Sequence, residues 1–384
     1  MSTLKKIFFF SLFILFLSLL FWGIYTLSFK KTELPKNTIL PLNNSTPQDL
    51  PKTPPASKEK VSIVSQEPVI SPTISTAGDK IWYFGASGEL KETDLVGGVS
   101  KKLTEKKIIS LISGIWSLDK SKILLKTNKD SAESYFLFFD IKNDQLTMLN
   151  KNITEAFWQA VSSKIIYKYF DSASKKSSLN VSDADGKNWK KILDLPHDKI
   201  SFSQIPRSGL ISFWNNGDAY YPTNFQTVSL LGEDTKSLYK DSFGADYLWD
   251  NSGSHVLVSQ TDEKGGTKIQ LGVMNYNGGE YKNLGLPTFV SKCVWSKDNK
   301  TIFCALPGNI PDNSILPNDY TTGKFTTADT FWKIDTVTGE KSRLVETSDM
   351  PNTSFDASEF FLNTDESLLF FVNKIDKKLY KIAL

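Results

Sequence analysis

The stretch WSKDNKTIFCA, residues 295–305, combines a large aromatic residue, a polar turn and a run of β-forming residues. This pattern predicts two antiparallel strands joined at Asp298 and Asn299, because aromatic and β-branched residues favour strands while Asp and Asn favour turns. Six other segments align with it without gaps: ISTAGDKIWYF from Ile74, WSLDKSKILLK from Trp116, WQAVSSKIIYK from Trp158, QIPRSGLISFW from Gln204, WDNSGSHVLVS from Trp249 and LNTDESLLFFV from Leu362.

The spacing of these segments indicates the architecture. They start at positions 74, 116, 158, 204, 249, 295 and 362, so successive spacings are 42, 42, 46, 45, 46 and 67 residues. A period of about 40–45 residues with several short strands per repeat is typical of propeller blades. Between the segments, apolar and polar residues alternate and hairpin residues interrupt them, such as DADG at Asp183 and YNGG at Tyr276. We therefore predict an all-β fold, a seven-bladed β-propeller of four-stranded antiparallel blades.

The two ends of the repeat region suggest how the ring closes. The last repeat stops at Leu384, after its third strand KKLYKIAL, whereas the spare β-segment VSIVSQ, residues 61–66, precedes the first repeat. An unpaired strand edge invites association with other chains. We therefore predict that residues 61–66 form the outer strand of the last blade, so that the propeller spans residues 61–384.

Two repeats carry a recognisable motif. Trp-Ser-x-Asp occurs at 116–119 and 295–298, and SDADGKNWKKIL at 182–193 has the form of a later hairpin in the repeat. Over residues 68–384 this pattern resembles the TolB-type, WD-repeat-like β-propellers of bacteria. TolB itself is a soluble periplasmic protein with an α/β domain ahead of its propeller, and a hydrophobic segment stands there in this chain. The resemblance therefore implies the fold alone and does not by itself imply a role in the Tol system.

The N-terminal segment IFFFSLFILFLSLLFWGIYTL, residues 7–27, is an uninterrupted apolar run. A helix of about 20 residues spans the hydrocarbon core of a bilayer. A cleaved signal peptide is the alternative, but its apolar region is shorter and ends in a small-x-small site. The run here ends in Tyr25-Thr26-Leu27, which favours an uncleaved, single-pass transmembrane anchor.

The segments on either side of the anchor complete the expected topology. Lysines 5 and 6 on one side balance lysines 30 and 31 on the other, so the positive-inside rule does not decide the orientation. The short head, residues 1–6, favours a cytoplasmic N-terminus with the propeller on the extracytoplasmic side. Residues 28–60 are rich in Pro, Ser, Thr and Lys and contain few apolar residues, so we predict a disordered tether.

Composition excludes several function classes. The 384-residue chain has 45 Lys and Arg against 42 Asp and Glu, a net charge of +3, which leaves no basic surface typical of nucleic-acid binding. Only two cysteines and two histidines are present, too few for a zinc cluster or a disulfide scaffold. We find no nucleophile-elbow, phosphate-binding or dinucleotide-binding motif, and so predict no catalytic residue and no cofactor.

The 67-residue spacing contains about 20 residues more than the other spacings, in the segment 307–328 between the second and third strands of the sixth repeat. Long loops in compact domains are usually functional or disordered. A tolerated mobile insertion is one interpretation, and a recognition loop on the face of the blade-to-blade connections is the other. The candidate interaction residues are the apolar Ile310, Ile315, Leu316 and Tyr320 with the polar Asp312, Asp319 and Lys324.

The two cysteines flank the turn at Asp298. If Trp295 opposes Ile302 across this hairpin, the same register places Cys293 opposite Cys304. Opposed residues of an antiparallel pair lie about 4.5–5.5 Å apart at Cα, within the range of about 4.4–6.8 Å that disulfides need. The pair is thus a candidate disulfide, stable outside the cytoplasm. Two buried thiols that serve as small apolar residues are the alternative.

These patterns together lead to a functional hypothesis. We expect a membrane-anchored, extracytoplasmic propeller that acts as a protein- or glycan-binding or scaffolding module at a bacterial cell envelope. Its expected partners are the membrane and a protein or cell-wall component, and not a nucleic acid. The alternative is a propeller enzyme, a lyase or hydrolase acting on polysaccharide or peptidoglycan, with its site in the central channel.

Overall fold

The computed structural model of the protein describes residues 60–129, 133–160 and 162–384. The predicted head (1–6), the anchor (7–27) and all of the tether (28–60) except its last residue lie outside these ranges. Within them, no helix is long and apolar enough to cross a membrane.

The described residues form seven four-stranded antiparallel sheets, which confirms the predicted seven-bladed propeller. Blades 1 to 6 take consecutive sets of four strands from β2 to β25, and blade 7 consists of β26, β27, β28 and β1. In chain order the strands are β1 (Val61–Ile63), β2 (Val69–Ile74), β3 (Lys80–Gly85), β4 (Glu89–Asp94), β5 (Lys101–Lys107), β6 (Leu111–Trp116), β7 (Lys122–Lys129), β8 (Glu133–Asp140), β9 (Gln145–Met148), β10 (Ile153–Trp158), β11 (Lys164–Asp171), β12 (Lys176–Asp183), β13 (Lys190–Leu195), β14 (Ile200–Gln204), β15 (Leu210–Asn215), β16 (Pro222–Ser229), β17 (Lys236–Phe243), β18 (Asp246–Trp249), β19 (His255–Thr261), β20 (Ile269–Asn275), β21 (Lys282–Asn283), β22 (Cys293–Trp295), β23 (Thr301–Leu306), β24 (Thr330–Asp335), β25 (Lys341–Arg343), β26 (Ala357–Leu362), β27 (Leu368–Asn373) and β28 (Leu379–Ala383).

The second strand of each blade is the most apolar, because neighbouring blades cover both of its faces. In β27 five of six residues are buried, and in β23 four consecutive residues are. The core therefore lies between blades. Phe331 of blade 6, for example, packs with Phe355 and Phe371 of blade 7, with ring centroids 6.0 and 4.8 Å away.

The repeated tryptophan of the aligned segments links neighbouring blades. It ends the inner strand, and in three of the four aligned segments that begin with tryptophan its indole N–H donates a hydrogen bond to a carbonyl on the inner strand of the preceding blade; Trp249 instead donates to the hydroxyl of Ser212 at 2.9 Å. The three carbonyl bonds among the described residues are Trp116 to Ser71 (2.8 Å), Trp158 to Ile115 (2.7 Å) and Trp295 to Leu248 (3.2 Å). The aromatic residue recurs because it fills the space between blades and also satisfies a buried polar group.

The first hairpin of blade 6 has the predicted turn chemistry. One carboxylate oxygen of Asp298 accepts hydrogen bonds from the backbone N–H groups of Lys300 and Thr301, both at 2.8 Å. Asn299 has a φ of 55°, in the left-handed region that Asn tolerates better than most residues. Beyond the turn, Cys293 pairs with Cys304 in the ladder. In the structure their sulfur atoms form a disulfide, with the Cα atoms 4.1 Å apart.

Strand β1 completes blade 7 by pairing with β28, with Val61 opposite Ile382 and Ile63 opposite Tyr380. The ladder is shorter than the segment 61–66, although the N–H of Val64 still donates to the carbonyl of Leu379 at 2.8 Å. Val61 and Ile382 are almost fully buried. The N-terminal strand thus covers the edge that the C-terminal strand would otherwise expose.

Candidate functional site at the mouth of the central channel

The insertion between β23 and β24 crosses one face of the propeller. It contains a short helix, α1 (Asn318–Thr321), and contacts two other blades on the face that carries their second-to-third-strand connections. The N–H of Leu316 donates to the carbonyl of Gly266 in blade 5 at 3.1 Å. The side-chain oxygen of Asn318 accepts from the N–H of Ala219 in blade 4 at 2.8 Å. The insertion is therefore an integral part of this face.

The structure separates the seven candidate residues of the insertion into buried and exposed sets. Leu316 and Tyr320 are 1% and 6% exposed, and the Tyr320 ring stacks on Phe289 with centroids 4.8 Å apart. They fix the insertion to the propeller, because apolar side chains in a crossing segment gain most by burial against the blades. The other five are partly buried (Ile310, Ile315, Asp319) or exposed (Asp312, Lys324).

A buried ionic cluster lies beneath the insertion. The ammonium group of Lys292 is 2.7 Å from Asp329 Oδ2 and 2.7 Å from Asp356 Oδ1. The three side chains are 0–2% exposed. The hydroxyl of Tyr320 also donates to Asp356 Oδ1 at 2.6 Å, and Lys374 donates to that hydroxyl at 2.7 Å. The cluster thus ties the insertion to the inner strands of blades 6 and 7.

The two carboxylates of the cluster have pKa values shifted in opposite directions, because burial raises the pKa of Asp329 more than its hydrogen bonds and Lys292 lower it. Burial opposes ionisation of Asp356, but the hydrogen bond and the positive charge of Lys292 outweigh it and lower the pKa of Asp356. Asp329 accepts hydrogen bonds from Lys292, from the hydroxyl of Thr327 at 2.6 Å and from the N–H of Ala357 at 2.7 Å. In their ionised forms, the two carboxylates balance the ammonium groups of Lys292 and Lys374 in number.

The insertion also forms one wall of a cavity of about 440 Å³ at the channel mouth. Its volume falls within the range of about 300–1,000 Å³ of small-molecule sites. Blades 4 to 7 all contribute, and most lining groups are polar or small. The lining residues are Ser201, Asn216, Gly217, Gly244, Asp246, Ser259, Phe289, Ser291, Pro317, Tyr320, Thr321 and Lys374.

Two ionisable groups on this wall have shifted pKa values. Asp246 Oδ1 accepts from the indole N–H of Trp214 at 3.2 Å and the N–H of Tyr247 at 3.0 Å. Burial nevertheless raises the pKa of Asp246 to about 6. Burial lowers the pKa of Lys374. Both shifts move the groups toward neutral pH, which is a common property of functional sites.

Lys374 also lines a second cavity, of about 470 Å³, on the side of blades 7, 1 and 2. Glu359 lines it too, with a φ of 50°. Glu359 lies where the ladder between β26 and β27 shifts its register, as Ser71 (φ 48°) does in β2, so this conformation belongs to a β-bulge of the inner strand.

The sequence interpretation missed Lys292, Asp246 and Lys374. Their positions relative to the strands could have indicated them in the sequence. Each lies within one residue of a strand end, on the face of the propeller that carries the insertion. No group of three His, Cys, Asp or Glu side chains suited to a metal ion occurs in the part of the chain that the structure describes.

Comparison with known proteins supports the fold. No protein-family model matches the chain, and no curated protein matches it significantly. Among solved structures, an oligogalacturonate lyase from Vibrio parahaemolyticus aligns with TM-score 0.61 and 11% identity over 86% of this chain and 94% of its own. The β-propeller domain of the Trilobed protease from Pyrococcus furiosus aligns with TM-score 0.54 and 12% identity, over 82% of this chain and 95% of its own. These likenesses show a shared propeller fold.

Solved structures of TolB proteins also align with the chain. TolB from Acinetobacter baumannii aligns with TM-score 0.45 and 10% identity, over 72% of this chain and 62% of its own. The likeness is too low to carry an argument about function.

Proposed function

We propose that the protein is a membrane-anchored propeller on the extracytoplasmic side of a bacterial cell envelope, where its channel mouth binds a protein or glycan partner. The observation that carries this proposal is the cavity that the insertion builds with Asp246 and Lys374 on its wall. The apolar run at 7–27 and the tether at 28–60 support the location.

The cavity suits a polar group that projects from a larger partner. Lys374 offers an ammonium group to a carboxylate or hydroxyl, and Asp246 has a second oxygen without a protein donor among the described residues. Charged groups at the end of a largely preformed pocket fix the orientation of a ligand. A chain terminus, a polar side chain or a terminal sugar of the partner has the required chemistry.

A site-specific cross-link tests this proposal. A photoreactive residue at Thr321, which is exposed at the edge of the cavity, is introduced into the full-length protein in cells. We expect one dominant envelope adduct, reduced at least tenfold by Lys374→Met. The matched control Lys240→Met changes an exposed lysine of β17 and should leave the adduct unchanged. An adduct that survives Lys374→Met would refute the channel mouth as the binding site.

Orientation is tested separately. A protease added to intact cells should cut the tether and release the propeller. Protection of the propeller until the membrane is permeabilised would reverse the proposed orientation, without affecting the cross-linking result.

The second candidate is a lyase or hydrolase acting on polysaccharide or peptidoglycan. It is favoured by Asp246 and Lys374, which line one cavity and have pKa values shifted toward neutrality, as general acid and base groups require. The lyase from Vibrio parahaemolyticus shares the fold at 11% identity. Release of reducing ends or unsaturated sugars by the wild-type protein, but not by Asp246→Asn, would support this function. No product from either protein would reject it for the polymers tested.

A further inference from the structure

A third cavity, a groove of about 440 Å³, lies on blade 3 and opens toward blade 2. It is built by the outer three strands of blade 3, and it is separate from the channel mouth. The outer strand of blade 2, β9, is only four residues long, whereas β12 and β13 of blade 3 have eight and six. The outer part of the blade 3 sheet therefore lies open.

The floor of the groove carries a row of polar side chains beside the aromatic rings of Tyr167 and Tyr169. In the ladders, Tyr169 pairs with Ser178, which pairs with Asp194. In the next row on the same face Asn180 pairs with Lys191. The amide of Asn180 donates to the Ser178 hydroxyl at 3.0 Å, and the Lys191 ammonium is 3.0 Å from Asp194. Amide, hydroxyl and carboxylate groups thus stand side by side.

An exposed indole borders this polar floor. Trp189 lines the groove and is 63% exposed, although tryptophan usually buries much of its large apolar surface. The preceding turn holds it there. Asn188 has a φ of 51°, and its side-chain amide donates to Asp183 Oδ2 at 2.7 Å. An ordered turn thus presents the indole ring beside the groove.

The combination identifies the class of ligand. A sugar ring offers C–H groups that pack on an aromatic face, and hydroxyls that both donate to and accept from amides and carboxylates. The lining carboxylates of Asp171 and Asp194 are matched by the ammonium groups of Lys176 and Lys191, so the groove has no net charge to attract an ionic ligand. We propose that the blade 3 groove binds a neutral oligosaccharide. This site is independent of the proposed channel-mouth function.

Calorimetric titration of the full-length protein with neutral tetrasaccharides tests the proposal. Cellotetraose and the tetramer of N-acetylglucosamine are the probes, and tetragalacturonate is the acidic comparison. We expect a neutral tetrasaccharide to bind with a submillimolar Kd and tetragalacturonate to bind at least tenfold more weakly. Failure of both neutral probes to bind at millimolar concentration, or tighter binding of the acidic probe, would overturn the proposal.

Matched variants locate the site. Trp189→Ala should weaken binding at least tenfold, because it removes the stacking surface. Tyr276→Ala changes an aromatic residue that is also 63% exposed and lies in the turn after the third strand of blade 5, far from the groove in sequence, so binding should be unchanged. Both side chains are exposed, and circular dichroism checks that both variants fold. Equal binding of the sugar by Trp189→Ala and by the wild type would overturn the proposal. It would also be overturned if Trp189→Ala lost an envelope protein partner but still bound the sugar.

Lys374→Met separates the two sites. Sugar binding should persist in this variant, whatever happens to the cross-linked partner at the channel mouth. Loss of sugar binding in Lys374→Met would move the glycan site to the channel and overturn its assignment to blade 3.

Discussion

Replacement of Lys292 by Met is the sharpest test of the buried cluster. Met occupies a similar volume but removes the ammonium group that lies 2.7 Å from both Asp329 and Asp356. The same group donates to Thr327 Oγ1 at 3.1 Å and to the carbonyl of Ala357 at 3.2 Å. The substitution therefore leaves two carboxylates, each at most 2% exposed, without their shared cation.

The expected cost follows from that geometry. Removal of one partner from a buried ion pair costs about 3–5 kcal/mol, because the remaining charge is neither solvated nor paired. We expect Lys292→Met to lower the free energy of unfolding by this amount at pH 7. The measurement is urea unfolding followed by tryptophan fluorescence. The comparison requires that the free energy of unfolding fall with urea concentration at the same slope in both proteins. Lys300→Met, at an exposed position in the adjacent turn, is the matched control and should cost less than about 1 kcal/mol.

The pH dependence distinguishes lost charge pairing from lost packing. In the wild type the pKa of Asp356 is lowered. The ionised carboxylate therefore contributes to the stability of the fold at neutral pH, and this contribution disappears as the pH falls. In the variant, burial without a cation should raise the carboxyl pKa above the unfolded value of about 3.9, so protonation relieves the cost at low pH. The difference between the proteins should therefore shrink from pH 7 to pH 4. A pH-independent difference, or one no larger than that of Lys300→Met, would refute the reasoning.

Three further predictions concern other parts of the propeller. The unreduced, unfolded protein should show no free thiol, and two titratable thiols would contradict the bond between Cys293 and Cys304. Reduction of this bond should lower the free energy of unfolding by at most about 3 kcal/mol, because the loop that it closes is short. Deletion of residues 61–66 should lower the Tm or cause aggregation, whereas deletion of 37–53 should do neither, and equal Tm values for the two would argue against closure by β1. The pKa of Asp246 is raised to about 6, so its contribution to stability is lost as the pH rises from 4 to 7. The Tm of the wild type should therefore fall relative to that of Asp246→Asn between pH 4 and pH 7. Parallel plots of Tm against pH for the two proteins would count against the raised pKa of Asp246.

The blades could be predicted from the sequence because their determinants are local. A hairpin depends on alternating apolar residues and on turn residues a few positions apart, and seven similar hairpins indicate a repeat. The opposition of Cys293 and Cys304 follows from the same local register, and the ladder shows it. The segment 61–66 could be assigned to the last blade because the last repeat contains only three strands and lacks its outer one.

The candidate site depends on the ring and could not be predicted in this way. Lys292 lies 37 residues from Asp329 and 64 from Asp356, and only the packing of blade 6 against blade 7 brings the three together. The burial of residues in the insertion could not be predicted from the sequence either. An apolar side chain such as Leu316 has the same sequence signature whether it faces a partner or its own propeller, because either surface removes it from water.

The sequence by itself therefore determined the number of blades, the strand order within each blade and the register of the hairpin that carries the cysteines, because these features arise from neighbours along the chain. Only the tertiary structure decided that the insertion covers the channel mouth, that Asp246 and Lys374 line one cavity, and that Trp189 borders an open groove. Those arrangements depend on side chains far apart in sequence, whose distances and burial are set when seven sheets pack around a common axis.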